Sequence, residues 1–303
     1  TSLQHVTLPN GITALPAHLF YGCTSLQSVD MPDGIISFGS YCFSGCTSLR
    51  DFDLPSSLKT INDNAFQNCA TLTRMNIPEG ATNIGKYAFE GCINLTSATL
   101  PSTLTSVGTY AFSECSSLTK VQLPESIKII PSHLFSNCKA LKTVTAASDL
   151  TGVGYSAFHN CAALESFNIP ATVTNIEGYA FSGCSSIYGL DLPVALTNLG
   201  QGAFFGCAKL DSLTIPQGIT SVPSSLCQNC SSMVYVGFAS EVTEINNQAF
   251  SGCISLKDIE LTEGLKTIAY DAFRNTALSD VKLPSTVTSL ASNSFGNCDN
   301  IRT

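Results

Sequence analysis

One spacing constrains this chain before anything else: phenylalanine returns every 23 residues. It stands at Phe20, Phe43, Phe66, Phe89, Phe112, Phe135, Phe158, Phe181 and Phe204, then at Phe250 and Phe273, with Cys227 in the skipped place. Phe295 follows after 22, because the stretch from Phe273 to Leu278 is one residue shorter than its equivalents. Cys lies three residues behind Phe, from Cys23 and Cys46 to Cys253 and Cys298, with Thr276 as the exception. Leu26, Leu49, Leu72 and their equivalents come three further on, and then an apolar pair such as Val29/Met31 or Val121/Leu123, usually followed by Pro. A chain of 303 residues ordinarily suggests about two globular domains. Here about 13 units account for residues 1–303 as a single domain. A unit this short cannot bury its own apolar face, so neighbours must stack into a continuous core.

Val29 and Met31 point one way while Ser28 and Asp30 point the other, the alternation of a half-buried strand. Every unit runs in the same direction, so successive strands pair in parallel and each needs a crossover. Ile35 and Phe38, or Leu104 and Val107, line the return arm, which has room for another short extended segment. The place before Cys holds Gly or Asn in twelve units, Gly22, Gly45 and Asn68 among them, and Glu114 in one. Gly and Asn tolerate the left-handed conformation that closes a helical turn. The expectation is therefore a right-handed, curved repeat solenoid of the α/β type, with a parallel β-sheet on the concave face and short helical turns on the convex face.

Composition narrows the function classes. Charged residues make up 12% of the chain, the formal charge is −8 and the pI about 4.9. Nucleic acid binding needs a basic stripe that displaces counterions, so this balance excludes it. No apolar run approaches the ~18 residues of a membrane span. Twelve of the 14 cysteines share one slot and stack as a ladder with parallel Cα–Cβ vectors. Their Cβ atoms then sit a strand spacing apart, beyond the ~3.8 Å of a disulfide, which reads as free buried thiols. Cys42 and Cys227 lie off the ladder beside Cys46 and Cys230, where a local bridge stays open. A linear ladder offers no tetrahedral metal site. His5, His18, His133 and His159 assemble no zinc site or triad, and no G-x-S-x-G, P-loop or complete G-x-G-x-x-G is present. No enzyme and no cofactor is expected.

The unit L-x-x-V-x-L-P followed by L-x-x-I-G-x-x-A-F-x-G-C-x-S-L resembles the leucine-rich repeats of the BspA-like (Treponema pallidum) class. Stretches 102–123 and 171–192 match it almost slot by slot. Cys227, Thr276 and the missing strand-ending Pro at Ala147, Ala239 and Thr262 are departures. The resemblance implies a secreted or surface-anchored protein that binds host matrix or other cell-surface proteins as an adhesin does. A carbohydrate-binding module or a structural spacer displaying another domain are the alternatives. The chain starts and stops inside a repeat, Thr1-Ser2-Leu3 aligning with Thr24-Ser25-Leu26, which reads as a fragment of a longer protein.

Outward strand positions are free of core constraints, so irregularity there is informative. Tyr188, Asp211, Val234, Tyr235, Asp258 and Glu260 come from four consecutive rungs and form the candidate ligand-binding patch, since Tyr supplies amphipathic contact area. The competing reading is that Val234 and Tyr235 compensate for the irregular unit around Cys227 and Gly237. Asp30, Asp51 and Asp53 form a second, acidic patch. A cross-strand charge network with Arg50 and Arg74 is the simpler reading of it and a calcium site the other. Tyr41, Tyr87, Tyr110 and Tyr179 share an outer slot, where they cover the turns with the apolar body inward.

Overall fold

The computed structural model describes residues 2–50, 53–239 and 241–298. The chain forms a parallel β-solenoid whose strands all pair 22 or 23 residues apart, in two units, Thr1–Ser148 and Asp149–Thr303. Each coil has a strand arm, a return arm and a run of turns.

In the first unit the strand arm holds two parallel sheets. His5–Thr7 pairs with Ser28–Asp30, and Arg74–Asn76, Ser97–Thr99, Lys120–Gln122 and Thr143–Thr145 make a four-stranded sheet. Alternation behaves as the residue pattern requires: Val29 is buried between an intermediate Ser28 and an exposed Asp30. In the second unit Ser212–Ile215 pairs with Tyr235–Phe238. The return arm is the more regular ladder. Ala14–Leu15, Ser37–Phe38, Thr60–Ile61, Asn83–Ile84 and Ser106–Val107 pair in sequence through the first unit. Gly152–Val153, Asn175–Ile176 and Asn198–Leu199, then Ser221–Val222, Glu244–Ile245, Thr267–Ile268 and Ser289–Leu290, do the same in the second.

The expected helical turns are absent: among the described residues there is no helix. The Gly/Asn slot is left-handed throughout, including Glu114 at φ 60°. A second left-handed slot lies four residues earlier, at His18, Tyr41, Asn64, Tyr87, Tyr110 and His133 in the first unit and at Ser156, Tyr179, Gly202, Ser225, Gln248, Asp271 and Asn293 in the second. A helix needs consecutive right-handed residues, and two left-handed ones per turn run forbid it. The amides divide their bonding accordingly. Cys42, Ser44 and Cys46 donate within the coil, to Gly39, Tyr41 and Phe43. The intervening Tyr41, Phe43 and Gly45 donate to Asp63, Ala65 and Gln67 of the next coil at 2.8–3.0 Å. The turns thus form a ladder along the solenoid, where a helix would have closed its bonds upon itself.

Phenylalanine rings fill the core of each unit in a stack. Centroids lie 5.2–5.3 Å apart from Phe20 to Phe112, with Phe112–Phe135 at 6.1 Å. In the second unit Phe158–Phe181 and Phe250–Phe273 repeat this at 5.2 and 5.5 Å. Burying each ring contributes about 1.5–3 kcal/mol, and ring pairing adds about 0.5–1.5. At the skipped place, buried Leu226 and Cys227 replace the usual Ala–Phe pair, and Phe238 packs edge-on to Phe250 at 5.9 Å in a slot that most coils fill with Leu or Ile. One coil is a residue short: Thr267 pairs with Ser289, 22 residues on. There the buried Thr276 takes the Cys slot, its hydroxyl donating to the Phe273 carbonyl at 2.9 Å.

Candidate functional site

Cysteines come first, because their chemistry is settled by the backbone. All fourteen are unbridged. Thiol after thiol donates to a carbonyl 26 residues earlier: Cys46 to Phe20, Cys69 to Phe43 and Cys115 to Phe89 in the first unit, Cys184 to Phe158 and Cys253 to Cys227 in the second, at 3.1–3.2 Å. Burial pushes the Cys42, Cys46 and Cys92 thiols up to about 12, since a thiolate would be stranded in an apolar core. Cys227 is raised by burial first and then by its hydrogen bond with Cys230. These are packing groups that satisfy carbonyls. Nucleophiles and ligands need the thiolate.

The candidate patch lies wholly in the second unit. Tyr188, Asp211 and Val234 occupy one strand slot, Tyr235 and Asp258 the next, and Glu260 the outward slot two beyond; all six are exposed. The Val234 N–H donates to the Asp211 carbonyl at 2.7 Å, and Tyr235 pairs with Ser212 in register, so Asp211, Val234 and Tyr235 are brought together. Ser212 donates to the Asp211 carboxylate at 2.8 Å. The Tyr235 ring lies over Gly237, its hydroxyl 2.8 Å from where a Cβ on that glycine would stand. The irregular unit is therefore filled from within by Leu226 and Phe238, while Tyr188, Val234 and Tyr235 remain 60, 55 and 50% exposed. At Cys227 the core is filled by Leu226 and Phe238, whereas at Gly237 the Tyr235 ring does cover the irregular residue.

A cavity beside this patch was not apparent in the residue pattern. Ser166, Phe167, Asn168, Ile169, Gly189, Leu190, Asp191 and Ser212 enclose about 330 Å³. It opens because Gly189 stands in the slot that Ser166 and Ser212 fill on either side, and nothing lies within 4 Å of its Cβ position. A second cavity, about 540 Å³, lies in the first unit around Ala98, Leu100 and Leu123, rimmed by Glu79, Lys120 and Glu125. Its signal was available: Ala98 stands in the inward slot that Met75 and Val121 fill in the flanking coils.

In the acidic patch, Asp30 accepts from the Thr7 hydroxyl at 3.2 Å and meets His5 Nε2 at 3.3 Å, both on the preceding coil. Asp53 is exposed, and Asp51 lies outside the described residues. Among the described residues no group of three or more His, Cys, Asp or Glu is placed to hold a metal ion, and no helix is long and apolar enough to cross a membrane.

The BspA type leucine rich repeat region model matches six copies, over residues 1–118, 59–188 and 184–302. A leucine-rich repeat protein from Bacteroides ovatus is 26% identical, with a TM-score of 0.85 over 99% of this chain and 86% of that one. A leucine rich cell surface protein from Faecalibacterium prausnitzii is 26% identical, with a TM-score of 0.60 over 100% of this chain and 87% of that one. The Treponema pallidum leucine-rich repeat protein is 29% identical, with a TM-score of 0.50 over 54% of this chain and 79% of that one. No curated protein matches the chain. None of these similarities indicates a catalytic family.

Proposed function

The chain belongs to the BspA-type leucine-rich repeat family, and on that premise we propose that it is an extracellular or cell-surface module that binds a protein ligand, in the manner of an adhesin. One observation carries the reading. Tyr188 and, two rungs on, Val234 and Tyr235 stay exposed, and the core of the irregular unit by Val234 and Tyr235 is already filled by Leu226 and Phe238. Exposed Tyr amid polar residues is the composition of a recognition surface, since a ring brings contact area at little entropic cost. The cell surface description of the Faecalibacterium prausnitzii protein supports the compartment.

The test is a Tyr188→Ala, Tyr235→Ala double variant, assayed against a panel of matrix proteins and a glycan array. Loss of protein binding by about tenfold or more, with the unfolding midpoint unchanged, is the expected result. Unchanged binding would make the chain a spacer, and loss confined to glycans would make it a carbohydrate-binding module.

A further inference from the structure

Charge on the strand arm is distributed unevenly. In the second unit the outward strand slots carry Glu165, Asp191, Asp211, Asp258, Glu260 and Asp280, all exposed. Only Lys257 and Lys282 oppose them in those slots. The same slots of the first unit carry Arg50, Arg74, Lys120 and Lys142 against Asp30, Asp51 and Asp53. The negative face therefore coincides with the exposed Tyr188, Val234 and Tyr235. Acidic residues alone would only solvate a surface. Here one of them, Asp191, lines a recess.

The cavity at Gly189 gives that face a shape. Phe167, Ile169 and Leu190 make its apolar wall, buried elsewhere in the core, while Asp191, Asn168 and Ser212 supply polar groups to it. Tyr188 adjoins it in the chain. An apolar wall with one carboxylate matches a side chain with a methylene stem and a cationic head, because Lys and Arg bury their stems while keeping the charge at a polar rim. An adjacent tyrosine face attracts the same cation. A neutral sugar would leave the carboxylates without a partner, and an acidic segment would be repelled.

We propose that the partner of this patch is a basic, extended protein segment, docked along the strand arm of the second unit with one Lys or Arg side chain in the cavity between Phe167 and Asp191. The proposal rests on the protein-binding reading above and specifies the chemistry of its ligand. Carboxylates along the face then steer the segment and set its orientation, while Tyr188, Val234 and Tyr235 supply contact area.

The probes are two fluorescein-labelled nonapeptides, one alternating Arg and Leu, the other Glu and Leu, titrated by fluorescence anisotropy against the full chain. Three variants separate the contributions. Asp191→Asn with Asp258→Asn removes charge from the face. Gly189→Val plugs the cavity, at a position where an added Cβ meets nothing within 4 Å. Asp33→Asn with Glu125→Gln makes the same change of net charge in the first unit. The Arg/Leu peptide is expected to bind and the Glu/Leu peptide not. The face and cavity variants should each weaken binding by about tenfold, and the first-unit control by less than about twofold. Equal loss in face and control variants would reduce the effect to unspecific attraction and overturn the proposal. So would retention of affinity in Gly189→Val, or salt-sensitive self-association abolished by the face variant, which would make a second copy the occupant. The two readings fail separately: if Tyr188→Ala with Tyr235→Ala abolishes capture of matrix proteins while the charge and cavity variants do not, the protein-binding reading stands and the basic partner falls, whereas unchanged capture in the tyrosine variant overturns the protein-binding reading itself.

Discussion

Glu114 stands in the left-handed slot that Gly or Asn occupies in every other coil, with φ at 60°, and its side chain is exposed. An ordinary L-residue in that conformation carries about 1–2 kcal/mol of steric cost, from which Gly is free and which Asn meets at a reduced level. Glu114→Asn should therefore stabilise the protein by about 1 kcal/mol. Glu114→Gly should gain somewhat less, because glycine adds about 0.4–1 kcal/mol of unfolded-chain entropy. A second contribution is electrostatic. Burial, and to a smaller degree the charge of Glu114, raises the Glu90 carboxyl above its ordinary value, against the lowering effect of a hydrogen bond from Gln67 at 2.6 Å. A carboxyl whose folded pKa is raised favours the folded state fully below its unfolded pKa, and that favour is lost as pH rises through the folded value. Removing the Glu114 charge should thus help at pH 7 and do nothing at pH 3. Glu114→Gln isolates this part, since it deletes the charge and keeps the strain. Urea unfolding of the three variants at pH 3 and 7 separates the two effects: the Asn gain persists at pH 3, and the Gln gain vanishes there. If Asn and Gln are indistinguishable at both pH values, strain at this position is not the reason for its Gly/Asn preference.

Thiol reactivity should follow burial: under native conditions at pH 8 a disulfide reagent labels Cys23, which is half-buried, ahead of all others, and urea releases the rest. Fast native labelling of Cys92 would contradict its position. Phe112→Ala removes a fully buried ring from the stack between Phe89 and Phe135 and should cost about 3–5 kcal/mol, with hydrogen-exchange protection lost first in the coils on either side; a cost below about 1 kcal/mol would mean the stack collapses around the gap. His159 has a buried Nδ1 with no partner, and burial lowers its pKa. The stability it permits is present above its unfolded pKa and lost as pH falls, so His159→Ser, the residue at the equivalent Ser136 and Ser182, should flatten the decline in unfolding midpoint between about pH 7 and 5. An unchanged slope would show that its proton is not taken up on unfolding.

The fold was legible because its determinants recur: a strand slot, a phenylalanine ring replaced only at Cys227, a left-handed Gly/Asn and a small apolar Cys. A position filled by Gly or Asn in twelve of thirteen units announces its backbone. The second left-handed slot announces nothing, since Tyr41, His133, Ser156 and Asp271 share no property that demands it. That is why the turn run reads as helical until the hydrogen bonds are seen to leave the coil. The candidate patch was legible as an irregularity, but its recess was not. The Gly189 cavity arises from a side chain that is missing, and the wall it uncovers belongs to residues, Phe167 and Leu190, that any pattern assigns to the core. Likewise Tyr235 has room to lie flat only because Gly237, two residues on, has nothing to offer in its way.

The short coil around Thr276 bears on how such a chain changes length. Elsewhere each coil offers its neighbour donors and acceptors at matching places, so a gain or loss of anything but a whole repeat would throw every later rung out of step. At Thr276 one residue is gone and the rungs beyond still meet, Ile268 opposite Leu290 and Phe273 stacked on Phe295 at 5.3 Å. The slack is confined to the corner between the last left-handed residue and the next strand, where a hydroxyl bonding to its own coil stands in for a thiol bonding to the one before. That corner is the joint at which a residue can be inserted or removed without disturbing the coils on either side.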